Sequence, residues 1–217
     1  GGSGASGESL TFALTDVTYE YVSSWGGPGA ANGQFSNPAQ VFADKYNQIY
    51  VADSANNRIQ KFSSAGTWYR TWGTNGTLDG QFRAPYGITV DKNQLVFAGD
   101  WLNSRVQRFS DLGVYQTKWG SYGTGSGQFN GPSMVAVDPA GWVYVTDYYN
   151  NRVQKFWQTG GYTRQWGTNG TGDGQFKYAA GIAVDAWYTV YVTDRYNHRI
   201  QAFTQYGVYL SKFGTNG

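Results

Sequence analysis

A fixed period constrains this chain more than any other feature. Trp-Gly recurs at Trp25-Gly26, Trp72-Gly73, Trp119-Gly120 and Trp166-Gly167, Phe213-Gly214 takes the next place, and every step is 47 residues. The triplet Gly-Gln-Phe keeps the same step, with its phenylalanine at Phe35, Phe82, Phe129 and Phe176. So does a third signature, "NNRIQKF" from Asn56, "NSRVQRF" from Asn103, "NNRVQKF" from Asn150 and "NHRIQAF" from Asn197. Tandem units of this length imply a solenoid, a propeller or an array, because one unit cannot cover its own apolar surface and must stack on its neighbours.

One unit, residues 35–73, reads as four strands: residues 40–44 (QVFAD), 48–53 (QIYVAD), 58–63 (RIQKFS) and 67–72 (TWYRTW). Turn residues separate them, and no segment is long enough for a helix of 3.6 periodicity. In the second strand Ile49, Val96, Val143 and Val190 point to one face and Tyr50, Phe97, Tyr144 and Tyr191 to the other. Both faces are apolar, so each small sheet needs a cover on both sides. A four-stranded meander packed between two like sheets is a propeller blade. The expected fold is therefore an all-β propeller of four-stranded antiparallel blades, with four complete repeats and an N-terminal half-blade. Residues 1–10 form a Gly/Ser-rich segment. Residues 11–26 supply the third and fourth strands of the half-blade ("TFALTD" and "EYVSSW"), and 27–217 hold the four blades as one domain.

Gly-Gln-Phe, a following Pro (Pro38, Pro85, Pro132), an Asp ending the first strand (Asp44, Asp91, Asp138, Asp185), Tyr-Val-x-Asp and Asn-x-Arg-Ile/Val-Gln together resemble the NHL repeat over about residues 20–217. Ala179 replaces the fourth Pro, and Phe97-Ala98-Gly99-Asp100 departs from the second-strand signature. The resemblance implies a propeller, usually of six blades, with the interblade loops and the turns between second and third strands on one face. Three arrangements then stand open: a four-bladed ring with an accessory hairpin, part of a six-bladed ring, or blades completed by another copy.

Composition narrows the function. Charged residues make up 14% of the chain, net charge is +2 and no like-charge run occurs, so the dense basic face of a nucleic-acid binder is not expected. With no cysteine, disulfides and thiolate metal sites are excluded. No apolar stretch approaches the roughly 20 residues of a bilayer-spanning helix, so membrane insertion is not expected.

Residues present in every repeat are expected to serve the fold. Asp53, Asp100, Asp147 and Asp194, with the Asn residues that follow them, are expected to cap the turn through backbone hydrogen bonds. Arg58, Arg105, Arg152 and Arg199 pair with nearby carboxylates or carbonyls, and Trp25, Trp72, Trp119 and Trp166 anchor packing. His198 is the single histidine, too few for a zinc site and without a flagged serine partner for a triad. NHL-type amidating lyases, by resemblance, need several histidines around a metal. First-strand residues lining the central funnel (Gln40, Val41, Tyr86, Met134, Gly181) are mostly apolar or small. No catalytic residue, metal or cofactor is assigned, and the expectation is a chain that is not an enzyme.

The turn tips vary between repeats, and there the candidate interface lies. Between second and third strands the repeats read Ser54-Ala55, Trp101-Leu102, Tyr148-Tyr149 and Arg195-Tyr196; the opposite face carries Tyr46, Trp157, Trp187, Tyr188 and Tyr206. Exposed aromatic patches mark interaction sites. The expected function is a structural or protein-interaction module, self-assembling through its aromatic faces or by N-terminal strand donation. The alternative is a carbohydrate- or peptide-binding module. Asn75 and Asn169 head glycosylation sequons in interblade loops, which suggests an extracellular or cell-surface setting.

Overall fold

In the computed structural model, which describes residues 22–214, each repeat folds as a four-stranded antiparallel meander in sequence order. The first blade holds β1 (Pro38–Ala43), β2 (Ile49–Asp53), β3 (Arg58–Phe62) and β4 (Trp68–Trp72). The second holds β5 (Pro85–Val90), β6 (Val96–Asp100), β7 (Arg105–Phe109) and β8 (Tyr115–Trp119). The third holds β9 (Pro132–Val137), β10 (Val143–Asp147), β11 (Arg152–Phe156) and β12 (Tyr162–Trp166), and the fourth β13 (Ala179–Val184), β14 (Val190–Asp194), β15 (Arg199–Phe203) and β16 (Tyr209–Phe213). Ala179 opposes Asp194 as Pro38 opposes Asp53, so the missing proline does not alter the register.

The Asp that ends each first strand builds the tight turn into the second. Asp44 Oδ1 accepts the backbone N–H of Tyr46 at 2.8 Å and of Gln48 at 2.9 Å, and Asp91, Asp138 and Asp185 repeat the pattern. This is the Asx-turn chemistry that favours Asp before a hairpin.

The second repeated Asp works differently from the cap expected of it. Asp53 makes no side-chain hydrogen bond to its own 3-10 turn, Ser54–Asn56. Its Oδ1 instead accepts Ser36 N–H at 2.7 Å, while Oδ2 takes Arg58 Nε at 2.7 Å, Asn56 Nδ2 at 2.9 Å and Gln60 Nε2 at 3.0 Å. Asn56 Nδ2 and Arg58 in turn donate to the carbonyls of Gly29, Ala30, Ala31 and Gln34. The four side chains latch the preceding interblade loop onto the turn. A carboxylate at the end of an inner strand, with an arginine directly across the hairpin, satisfies more buried groups by bridging than by capping. Asp100, Asp147 and Asp194 form the same latch with Arg105, Arg152 and Arg199.

The core is three equivalent clusters between blades. Tyr50 of β2 meets Trp72, Phe82, Ile88, Val96 and Phe109; Phe97 meets Trp119, Phe129, Val135, Val143 and Phe156; Tyr144 meets Phe176, Val190, Val192 and Phe203. Burying each ring contributes about 1.5–3 kcal/mol, so the blades hold by stacking. The indole N–H groups of Trp72, Trp119 and Trp166 are buried without an acceptor among the described residues. These tryptophans supply shape and area.

First strands pack side by side in the order β1, β5, β9, β13, and no comparable packing returns β13 to β1. The blades therefore form an arc in the described residues. The ends show it: Ile49 and Tyr191, the second-strand residues facing outward from the first and last blades, are only half-buried, whereas Val96, Phe97, Val143 and Tyr144 are fully buried. Residues 1–10 and most of the expected half-blade lie outside the described residues. Residues 22–27 carry no strand, so the fourth strand expected at 20–25 is not formed in its described part. A strand exists by pairing, and no described neighbour pairs there. Trp25 still takes its repeat position, with its ring 4.6 Å from Phe62 and 6.0 Å from Phe35.

Candidate functional site

The turns between second and third strands are tied to the preceding interblade loops, and this fixes their tips. The N–H groups of Ala55, Leu102, Tyr149 and Tyr196 donate to the carbonyls of Ser36, Arg83, Asn130 and Lys177 at 3.0–3.1 Å. Each turn therefore presents its two variable side chains from a rigid base, at the end of the two middle strands of its blade.

In the last three blades these tips meet. Trp101 lies 5.4 Å from Tyr148 and 5.6 Å from Tyr149 between ring centroids, and 5.3 Å from Tyr86 of β5. Tyr148 stacks on Tyr178 at 4.8 Å and 25°, and Tyr178 lies 5.1 Å from Tyr196. A continuous aromatic ribbon crosses from the second blade to the fourth. Gly131 makes the ribbon possible, since a Cβ there would sit 3.0 Å from Tyr149 and 3.1 Å from Trp101. Tyr148 is only 8% exposed, whereas Tyr149 and Tyr196 keep about half their surface. Large turn-tip side chains at 148 and 101 thus fold inward, and Leu102, Tyr149 and Tyr196 stay out.

Beneath the ribbon is a cavity of about 480 Å³ lined by Tyr86, Trp101, Ser133, Met134, Tyr148, Tyr149, Ala180, Gly181, Thr193 and Arg195. Three of the funnel residues expected from sequence, Tyr86, Met134 and Gly181, are in its wall. Gln40 and Val41 lie instead in a separate cavity of about 440 Å³ on the first blade, with Trp25, Phe35, Pro38 and Val51. Arg195 is the one ionised side chain of the larger cavity. Its Nη1 donates to Tyr148 Oη at 3.1 Å and its guanidinium rests over Tyr196. Burial pushes the Tyr148 phenol up, against the pull of Arg195.

Tyr178 is the ribbon residue that turn-tip reasoning missed. It sits in the interblade loop, at the position occupied by Asn37, Ala84 and Gly131 in the other repeats, with φ +63°. A bulky residue in the left-handed region carries strain that tends to cluster at functional sites. The visible signal was a tyrosine where the other repeats have small or turn-forming residues.

The opposite face is looser. Trp157 packs edge-on against Trp142 at 4.7 Å, Tyr188 is half-buried, and Tyr206 lies under Lys155 and Arg164. Trp187 is 84% exposed and Tyr46 is exposed beside Lys45. These rings do not form one patch. Asn75 and Asn169 are exposed in interblade loops, and His198 is an exposed turn residue at φ +51°. Among the described residues no three His, Asp or Glu side chains come together to hold a metal ion, and no helix is long and apolar enough to cross a membrane.

The family model described as NHL repeat matches residues 35–62, 129–156 and 176–203. Three of the four repeats thus match the NHL repeat. The second repeat, which carries the Phe97-Ala98-Gly99-Asp100 departure, falls outside the match yet keeps the same latch. Among solved structures, the chain resembles a catalytically inactive virginiamycin B lyase from Staphylococcus aureus with quinupristin, at TM-score 0.65 and 17% identity over 88% of this chain and 58% of that one. A nidogen/laminin complex matches at TM-score 0.62 and 16% identity over 83% of this chain and 64% of that one. A streptogramin B lyase matches at 0.57 and 15% identity over 84% and 70%. The chain thus spans about six tenths of the length of the first of these. At such identities the likeness is one of fold. It corrects one expectation: a single histidine and an apolar funnel do not make this chain a non-enzyme, because two of the structures sharing its architecture are lyases. Catalysis resides in sites grafted on a fold, so the scaffold leaves that question open in both directions. The NHL propeller fold does suggest a protein-interaction module.

Proposed function

We propose that the chain binds partner proteins through the aromatic ribbon and the cavity beneath it. The observation that carries this reading is the unbroken Trp101–Tyr148–Tyr178–Tyr196 series, held on rigid turns with Tyr149 and Tyr196 half exposed. Pre-organised aromatic rings supply contact area at low entropic cost and are enriched in protein contacts. Sugar stacking is less favoured, because the Tyr148 ring is already stacked on Tyr178 and packed against Trp101. The test is a random-peptide library presented to the chain and to a Trp101→Ala/Tyr149→Ala variant. Peptides enriched on the parent should be lost on the variant; equal retention on both would refute the site.

Self-association is a second reading, favoured by end blades that no described residue covers. Val41 is 61% exposed beside the 440 Å³ cavity, and Phe213 is 51% exposed at the other end. Joining such faces would repeat the interblade contact. Sedimentation velocity should then detect species that Val41→Lys removes, and a purely monomeric profile would exclude it. The extracellular setting belongs to this proposal and rests on the Asn75 and Asn169 sequons; a glycosidase-sensitive mass on secreted protein tests it.

A further inference from the structure

The cavity under the ribbon offers an unbalanced charge. Arg58, Arg105, Arg152 and Arg199 each pair with a buried carboxylate. Arg195 has none: its side chain makes one hydrogen bond, to Tyr148 Oη, and its other N–H groups have no partner among the described residues. Because the Tyr148 oxygen accepts from a guanidinium, its own proton is left to donate, and a cation on the oxygen strengthens that donor. Two donors thus converge at one point of the wall. No carboxylate lines the cavity, and the remaining wall is Tyr86, Trp101 and Met134 with the hydroxyls of Ser133 and Thr193. The Thr193 hydroxyl oxygen is already engaged by Gly181 N–H at 2.6 Å.

We infer that the cavity takes an acidic side chain of a partner's peptide segment, its carboxylate held by Arg195 and the Tyr148 hydroxyl while an adjoining apolar or aromatic side chain lies on Trp101 and Tyr86. This rests on the protein-binding reading above and adds the chemistry of the ligand. Planar, forked guanidinium donors suit a carboxylate, and the position is singular: the equivalent residues are Ser54, Trp101 and Tyr148.

The experiment uses the peptides enriched on the parent chain in the library selection. Those lost on Trp101→Ala/Tyr149→Ala should carry Asp or Glu beside an apolar or aromatic residue. A synthetic copy with that acid changed to its amide should bind about ten- to a hundred-fold more weakly, the range of a charge-assisted hydrogen bond. Arg195→Gln should bind the acid and amide peptides equally, and Tyr148→Phe should narrow the gap between them. Arg195 is exposed with a single side-chain hydrogen bond, so an unchanged thermal midpoint for Arg195→Gln certifies its fold. Trp101-dependent peptides without an acid preference, or undiminished binding of the acid peptide by Arg195→Gln, would overturn the inference and leave the protein-binding reading standing. Absence of any Trp101-dependent peptide would remove both.

Discussion

Gly113 and Gly127 have the same left-handed backbone, φ +77° in each, but different surroundings. A Cβ on Gly113 would lie 2.8 Å from Cγ and Cδ2 of Trp72 in the preceding blade, whereas a Cβ on Gly127 would meet nothing within 4 Å. Alanine at either site incurs the left-handed cost of about 1–2 kcal/mol. At 113 it must also displace an indole already held among Tyr50 and Phe109, at 6.4 and 6.2 Å between centroids. Overpacking of that kind costs about 1–3 kcal/mol more. Gly113→Ala should therefore destabilise by about 2–5 kcal/mol and Gly127→Ala by about 1–2 kcal/mol. The difference isolates the contact between blades. Urea unfolding followed by tryptophan fluorescence reads both, with m-values compared to confirm that the same surface unfolds. A Gly113→Ala/Trp72→Leu pair should fall short of the summed single costs, because the clash disappears with the ring. Coincident midpoints for the two alanine variants, or strict additivity of the pair, would refute the claim that these turns are wedged against the neighbouring tryptophan.

The latch gives a second expectation: Asp147→Asn, which leaves the buried Arg152 without its carboxylate, should cost about 3–5 kcal/mol, whereas Lys118→Met, breaking the half-exposed 2.6 Å pair with Asp79, should cost about 0–1 kcal/mol. Similar costs in urea unfolding would sink the latch. The third concerns alkali. Tyr50 and Tyr144 are fully buried and donate to Asp44 and Asp138, and burial first, then the carboxylate charge, pushes both phenols well above their usual range. Unfolded tyrosines lose their proton near pH 10 while these keep theirs, so the native state holds more protons above that pH. Stability is intact below about pH 10 and falls above it by about 1.4 kcal/mol per pH unit for each tyrosine. The thermal midpoint should drop more steeply above about pH 10 than in a Tyr50→Phe/Tyr144→Phe variant; identical slopes would refute this.

Much of the architecture was legible because the repeat states each local rule four times. The strand expected at 58–63 forms at Arg58–Phe62, and that expected at 67–72 forms at Trp68–Trp72. The two-faced second strand correctly implied a sheet covered on both sides, and Tyr50 and Val96 do meet across the first interface. The capping role given to Asp53 failed because its true partners are distant in the chain: Ser36 lies 17 residues before Asp53, and the carbonyls engaged through Arg58 lie up to 28 residues before Arg58. Spacing between motifs does not display such bridges.

The period and the strands follow from the sequence alone, since each depends on alternation, turn chemistry and residues close along the chain. Which aromatic side chains gather into a site was decided only by tertiary structure. Trp101, Tyr148, Tyr178 and Tyr196 come from three turns and a loop, and the stacking of the blades brings them together on one face. Tertiary structure also leaves Trp187 84% exposed on the other face and places Arg195 in the wall of a cavity lined by no carboxylate. Side-chain convergence across separate sheets is a property of how the blades stack, and no single repeat encodes it.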